Sequence, residues 1–310
     1  MRFFLIGIVV LAGVLTASAD SLCVVSYNVE NLFHPDKDSI TDDGEWTPDG
    51  ERHWSFARYN RKVENIARVL TNIGEWSGVD VVGLQETENA AVVKKLCYTL
   101  RRGEYGFVHY DSPDRRGIDV ALIYKKSRID TLSSKAISIL IPRERLSQHS
   151  DLRTRDILYV SALVDKKDTI HFFVCHLPSQ RGGAAESAWK REAAKETLQQ
   201  AVDSVQETNK DAKIIVMGDM NSEDIRVSGL VDERMRGNGT HKYQGRWTYL
   251  DHFYVSPSID NISTARVYDA QWIQEPDEKY MGLKPKRTYN GFTYQNGYSD
   301  HLPIVLTVSF

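Results

Sequence analysis

Asp219 and Asn221 follow an apolar, β-favouring run at 214–217, and Gly218 breaks that run just ahead of them in the segment IIVMGDMNSED. Two residues apart on extended backbone, they point to one side and turn Met220 toward the core, which makes an edge able to hold a phosphate or a metal. An aspartate after such a glycine also serves as a turn or helix cap, so this segment alone leaves both readings open. What shifts the balance is recurrence of the same design along the chain.

Asn28 ends a strand expected over 22–27, where its amide offers an oxygen to a hard cation or an N–H to a phosphate, or simply closes a turn. Glu86 stands past a buried strand at 81–84, placed as a metal ligand would be, and equally as a helix cap or ion-pair partner. His176 leaves a buried strand at 170–175 into the loop LPSQRGG, a loop type that sets donors against substrates. Asp251 falls inside the apolar, aromatic run RWTYLDHFYVS at 246–256, and an aspartate inside a strand needs a partner because burying it alone costs several kcal/mol. Its neighbour His252 alternates to the other face and reads as structural. Asp300 and His301 precede a last strand at 304–308. Six strands that each present a polar group are hard to assign to turns and caps alone. Arg116 and Arg181, both in glycine-containing loops, are within the reach of a substrate phosphate, against the plainer reading as solvated arginines.

The elements that must position these groups read as strands alternating with amphipathic helices. Apolar residues at helical spacing mark helices over 57–76, 89–102 and 184–206, and further strands are expected at 107–110, 118–124, 129–141 and 158–164. Residues 34–55 show neither period and read as a long surface loop; 225–235 reads as a short helix or irregular segment, and 257–298 as loop-rich. Aromatic residues are scattered through this last stretch among Lys284, Lys286 and Arg287, as core or as stacking surfaces.

Residues 1–19 of the 310 carry Arg2, an apolar run to Leu15 and small residues at 17–19, the pattern of a cleaved secretory signal, too short to span a membrane. The remainder, 20–310, has no linker or low-complexity break and is read as one domain, exported to the periplasm or beyond. Three cysteines allow one bridge at most, and buried thiols are the expectation. A net charge of −3 argues against a protein that coats nucleic acid non-specifically, leaving any polyanion to local clusters at 101–102, 115–116, 125–128 and 284–287.

Taken together, SYNVENLF at 26–33, GLQETEN at 83–89, HLPSQRGG at 176–183, GDMN at 218–221 and GYSDHLPIV at 297–305 resemble the endonuclease/exonuclease/phosphatase superfamily, deoxyribonuclease I-like, and in particular its exported bacterial members. The resemblance covers essentially the whole of 20–310. It implies an α/β fold, a four-layer α/β-β/α sandwich with two mixed β-sheets packed face to face, helices on both outer sides and the site at one edge. By the same resemblance Asn28, Glu86 and Asp300 hold Mg²⁺ or Mn²⁺, and Asp251 orients His301 as in aspartate–histidine general base catalysis. Asp219 and Asn221 then hold the attacking water and a phosphate oxygen, and His176 binds phosphate or helps protonate the leaving group; whether Asp219 or His301 takes the proton stays open. Apurinic endonucleases commonly carry tyrosine where His176 stands, which argues against a repair role.

The leading expectation is therefore an exported, divalent-metal-dependent phosphodiesterase, a monomeric nuclease acting on nucleic acid without a stable protein partner. A phosphatase or phospholipase C-like enzyme acting on a lipid head group or soluble phosphate ester is the alternative, since fold and metal site do not choose the substrate. A non-catalytic binding protein on this fold ranks behind both, because every expected position holds a competent residue.

Overall fold

The computed structural model describes residues 21–38, 41–141, 143–145, 153–180, 183–233, 235–259 and 261–309. The proposed signal at 1–19 and Arg181 therefore lie outside the described residues. In chain order the strands of the first half are β1 (Ser21–Leu32), β2 (Val81–Thr87), β3 (Tyr105–His109), β4 (Asp119–Lys125), β5 (Ile129–Ile137), β6 (Ile157–Val164) and β7 (Asp168–His176). Those of the second half are β8 (Lys213–Asp219), β9 (Val231–Asp232), β10 (His241–Tyr243), β11 (Arg246–Thr248), β12 (Asp251–Val255), β13 (Ile262–Val267), β14 (Gln274–Pro276), β15 (Leu283–Pro285), β16 (Tyr289–Asn290), β17 (Thr293–Tyr294) and β18 (Ile304–Ser309). Among the described residues three α-helices accompany them: α1 (Phe56–Gly74), α2 (Ala90–Leu100) and α3 (Ala184–Thr208).

Two six-stranded mixed sheets form the centre, ordered β13-β18-β1-β2-β4-β3 and β5-β6-β7-β8-β12-β9. Strand alternation explains why they stack. Along β7, Phe172 and Val174 join the core shared with the first sheet, while Phe173 and Cys175 pack with Leu198 and Val202 of α3. Helix α1 buries Val63, Ile66, Leu70 and Ile73 against the first sheet, and Asn89 caps α2 by accepting from the N–H groups of Ala91 and Val92. The result is the expected four-layer sandwich. Where the sheets face each other, β2 carries Gly83, and a Cβ there would sit 2.7 Å from the Met217 sulfur.

Three expectations need correction. The 34–55 stretch is not merely a surface loop. Trp46 and Trp54 are buried, Phe33 stacks on Trp46 with ring centroids 5.0 Å apart, and Trp54 Nε1 donates to the Phe33 carbonyl at 2.9 Å. Anchors separated by turns leave no period to read. The run at 246–256 is two strands: β11 pairs with β10, the chain bends at 249–250, and Asp251 is the first residue of β12 rather than an interior one. Thr240 Oγ1 secures the bend by accepting from the N–H groups of Leu250 and Asp251. Finally, 225–235 contains no helix among its described residues, and its Val231–Asp232 pairs with β12. All three thiols are free, with Cys97 and Cys175 buried, as expected.

Candidate active site

Register brings the polar strand ends together. In the second sheet His176 lies opposite Asp219 and Asp219 opposite Asp251, one row across β7, β8 and β12. In the first sheet Asn28 lies opposite Gln85, one residue before Glu86. The two edges meet where the Asn28 amide N–H donates to Asp219 Oδ2 at 3.1 Å and lies 3.4 Å from Glu86 Oε1.

Irregular backbone aims these groups. The β1–β2 pairing shifts register between Asn28 and Leu32, and the β2–β4 pairing between Gln85 and Thr87; within those bulges Glu30 has φ 51° and Glu86 φ 66°. A bulge turns a side chain out of strict alternation, and here it turns Glu86 to the site, where its Oε2 accepts the Asn31 N–H at 2.8 Å. Gly218, at φ +144°, is required just ahead of Asp219, because a Cβ would lie 1.9 Å from the Cys175 carbonyl oxygen. Past the strand end Asn221 takes φ 49°, its N–H bonds Asp219 Oδ1 at 2.8 Å, and its side-chain amide donates to the Leu177 carbonyl at 2.9 Å. Extended backbone thus does not continue to Asn221, while Met220 does turn into the core as expected.

His301 receives both aspartates. Its Nδ1 is 2.8 Å from Asp251 Oδ2 and its Nε2 is 3.7 Å from Asp219 Oδ2. Burial opposes a charge on the ring, but the carboxylates of Asp251 and Asp219 outweigh it and hold the His301 pKa well above 6.5. Asp219 is pushed up to about 7, chiefly by burial and further by Asp251, against the pull of His301. His176 Nε2 lies 3.6 Å from Asp219 Oδ2 and 3.8 Å from Glu86 Oε1. Burial, then the charges of Arg155, Arg116 and His301, hold its pKa well below 6.5, so this ring is neutral. Arg116 itself is half-exposed, with Nε 3.6 Å from Asp114 Oδ1. His252 faces away, bonded through Nδ1 to Asp232 at 3.2 Å, the structural role expected of it.

Several residues of the site escaped the sequence reading. Glu30 is buried, 3.8 Å from Lys62 Nζ and 3.3 Å from Arg287 Nε, and accepts the Thr288 N–H at 2.6 Å. Its signal was its position two residues beyond Asn28. Arg287 also bonds Asp300 Oδ2 at 2.9 Å, and Ser299 Oγ donates to the Asn28 carbonyl at 2.6 Å while accepting from the His301 N–H at 3.1 Å. Arg155 is buried between Asp114 at 3.1 Å and the Leu177 carbonyl at 2.9 Å, and the His241 ring lies 4.9 Å from that of His301. No spacing rule marks either. Burial lowers the Lys62 pKa to about 8, and the ammonium donates to the Tyr298 carbonyl at 2.7 Å. Lys62→Met removes the ammonium 3.8 Å from Glu30, leaving that buried carboxylate to Arg287, and is expected to cost about 3 kcal/mol of stability, read by urea unfolding. A loss below about 1 kcal/mol would mean that Arg287 alone compensates Glu30.

The donor set fits a hard divalent cation. Carboxylates of Glu30, Glu86 and Asp300 act together on Lys62 and Arg287, one ligand atom from each of Asp219, Asp251 and His301 lies within 4.8 Å of the others, and Asp251 Oδ1 is buried without a hydrogen-bond partner. That excess of buried negative charge is what an oxygen-ligated cation offsets. Asn28 Oδ1 accepts the Glu30 N–H at 3.0 Å, so its amide also orients the neighbouring carboxylates.

Residues 23–231 and 227–309 match the family described as the Endonuclease/Exonuclease/phosphatase family. No curated protein matches the chain by sequence. Among solved structures, truncated Caenorhabditis elegans TDP2 is similar with TM-score 0.60 and 17% identity over 94% of this chain and 98% of that one. The Bacteroides thetaiotaomicron mannosyl-6-phosphatase Bt3783 gives TM-score 0.60 and 18% identity over 93% of this chain and 100% of its own. D. rerio TDP2 complexed with single-strand DNA product gives TM-score 0.54 and 17% identity over 94% and 100%. At these identities the likeness is one of fold.

Proposed function

The chain belongs to the endonuclease/exonuclease/phosphatase family, a family of phosphoester hydrolases, and from that premise we propose that it hydrolyses a small soluble phosphate ester, such as a phosphorylated sugar, by metal-assisted attack of water. The observation that carries the chemistry is the line Asp251–His301–Asp219, with contacts of 2.8 and 3.7 Å between buried side chains. Asp219, poised near neutrality, takes the proton of the attacking water. His301, held charged by its two aspartates, stabilises negative charge building on the phosphoryl oxygens. His176, kept neutral, donates an N–H to a phosphate oxygen rather than a proton to the leaving group. Asn221 fixes the Asp219 carboxylate through its backbone N–H, and Arg116 meets the substrate phosphate from the rim. Glu86 and Asp300, with Asn28 beside them, would hold Mg²⁺ or Mn²⁺, which supplies Lewis-acid neutralisation of phosphate charge.

The choice of substrate rests on where the cations and aromatics lie. Arg101 pairs with Glu104 at 3.4 Å, Arg128 with Asp80 at 2.9 Å, Lys284 with Glu275 at 3.5 Å, and Arg287 with Asp300 at 2.9 Å. Asp80 precedes β2, so the 125–128 cluster occupies the sheet edge opposite Glu86. Tyr289 and Tyr298 are buried, and Tyr268, Trp272 and Tyr294 pack against the core. Among the described residues these features break up the basic and stacking surface offered to a nucleic-acid strand, the reading first drawn from the sequence, although Tyr280 and Phe292 stay exposed. That reading keeps support from the structural likeness to TDP2 holding a single-strand DNA product. Export is proposed from the sequence of residues 1–19.

The deciding experiment incubates residues 20–310 with Mg²⁺ or Mn²⁺ and a panel of sugar phosphates, phospholipids, plasmid DNA and RNA. Phosphate release from sugar phosphates, absent without the cation, is expected; cleavage of DNA or RNA alone would restore the nuclease, and no hydrolysis of any phosphoester would leave a binding protein. Sequencing the N-terminus of periplasmic or secreted protein, expected near Asp20, tests export.

A further inference from the structure

A second group of metal-ligating side chains lies outside this site, where β3 ends and β4 begins. His109 is the last residue of β3, Asp119 the first of β4, and Asp111 belongs to the loop between them. One ligand atom from each lies within 4.8 Å of the others. His109 Nε2 is 3.3 Å from Asp119 Oδ2, and Nδ1 is 3.9 Å from Asp111 Oδ1. Two ligands of a tetrahedral ion bound at about 2.1 Å stand about 3.4 Å apart, so small side-chain rotations complete the set.

Two further observations point to an ion rather than to a chance cluster. The His109 side chain is 2% exposed, and its buried Nε2, 3.3 Å from Asp119 Oδ2, makes no hydrogen bond of good geometry there. The other Asp119 oxygen, Oδ1, is already held by the Ser112 backbone N–H at 3.0 Å and by the Ser112 hydroxyl, leaving Oδ2 toward His109. A carboxylate fixed through one oxygen and offered through the other is how outer partners orient a metal ligand. Asp111, at 88% side-chain exposure, leaves the third side open to solvent and to an entering ion.

We propose that His109, Asp111 and Asp119 bind a first-row divalent transition ion, of the Zn²⁺ or Mn²⁺ class. An imidazole with two carboxylates selects such an ion over Ca²⁺ or Mg²⁺, which favour oxygen ligands alone. The ion ties the two ends of the 110–118 loop. That loop carries Asp114, whose Oδ2 holds Arg155 at 3.1 Å, and Arg155 in turn holds the Leu177 carbonyl next to His176 at 2.9 Å. The site is thus a brace for the rim of the active site, made of none of its residues.

The test titrates chelator-stripped protein with Zn²⁺ alone, by calorimetry and metal content, in a Glu86→Gln/Asp219→Asn/Asp300→Asn/His301→Ala background that removes the carboxylates and the imidazole of the active site. One Zn²⁺ per chain is expected there. Adding His109→Ala is expected to weaken that binding at least about 100-fold, and adding Asp111→Ala about 10-fold. Asp111 is exposed, so its variant decides alone if His109→Ala fails to fold. Equal Zn²⁺ uptake with and without these substitutions, or no uptake in the parent, overturns the proposal and leaves a plain ion pair. Because the readout is binding, the outcome is independent of whether sugar phosphates are hydrolysed.

Discussion

Asp251→Asn is expected to lower kcat by about 10⁴-fold with the fold unchanged, measured on the best substrate of the panel at saturating Mg²⁺. The substitution keeps the shape of the side chain but removes the charge that lies 2.8 Å from His301 Nδ1. That carboxylate does two things for the ring. It fixes the orientation that places Nε2 toward Asp219, and it is the first of the charges that hold the imidazole pKa well above 6.5 against burial. An asparagine still makes a hydrogen bond but no longer sustains the charged ring, so stabilisation of the developing phosphoryl charge is lost. Thermal unfolding within a few degrees of wild type would show that the effect is chemical. A kcat within tenfold of wild type would mean that Asp251 acts only as packing and that the proposed charge on His301 has no part in turnover.

The second large effect concerns Asp219. Burial pushes its carboxyl up to about 7, so it is protonated below that pH and ionised above it. If ionised Asp219 accepts the proton of water, kcat/KM rises with pH, tenfold per unit, through the region near 7 and levels off above it. A bound divalent cation favours the carboxylate, so raising the Mg²⁺ concentration moves this limb to lower pH. Asp219→Asn is expected to reduce kcat/KM by about 10³-fold or more and to abolish the limb. A pH profile of the variant that keeps the wild-type limb at reduced height would transfer the titration to another group, with His301 first in line. Burial of Asp219 is shared with Asn28, whose N–H donates to it at 3.1 Å. Asn28→Asp, which replaces that donor by a second carboxylate, is consequently expected to displace the limb upward rather than remove it.

The sequence alone determined the local half of this protein. Periodicity and composition located helices at 57–76, 89–102 and 184–206, and the structure has them at Phe56–Gly74, Ala90–Leu100 and Ala184–Thr208. Apolar runs leading to Asn28, Glu86, His176 and Asp219 were legible because a buried strand is nearly continuously apolar, but β1 runs on to Leu32 and β2 to Thr87, so Asn28 and Glu86 lie within their strands rather than past their ends. The tertiary structure decided everything that depends on register and on which edges meet. Asp251 was read as interior to a strand because nothing in RWTYLDHFYVS marks the bend at 249–250, which Thr240 secures from outside the segment. Lys62 gave no pattern and Glu30 only its place two residues beyond Asn28, since their pairing joins a bulge of β1 to a helix of otherwise amphipathic character. The aromatics of 257–298 looked available for stacking, and only packing buried Tyr289 and Tyr298, set Tyr268, Trp272 and Tyr294 against the core and left Tyr280 and Phe292 exposed. Local sequence fixes backbone preference within a few residues, whereas contacts such as Asn28 to Asp219, 191 residues apart, exist only once two sheets have stacked in one register.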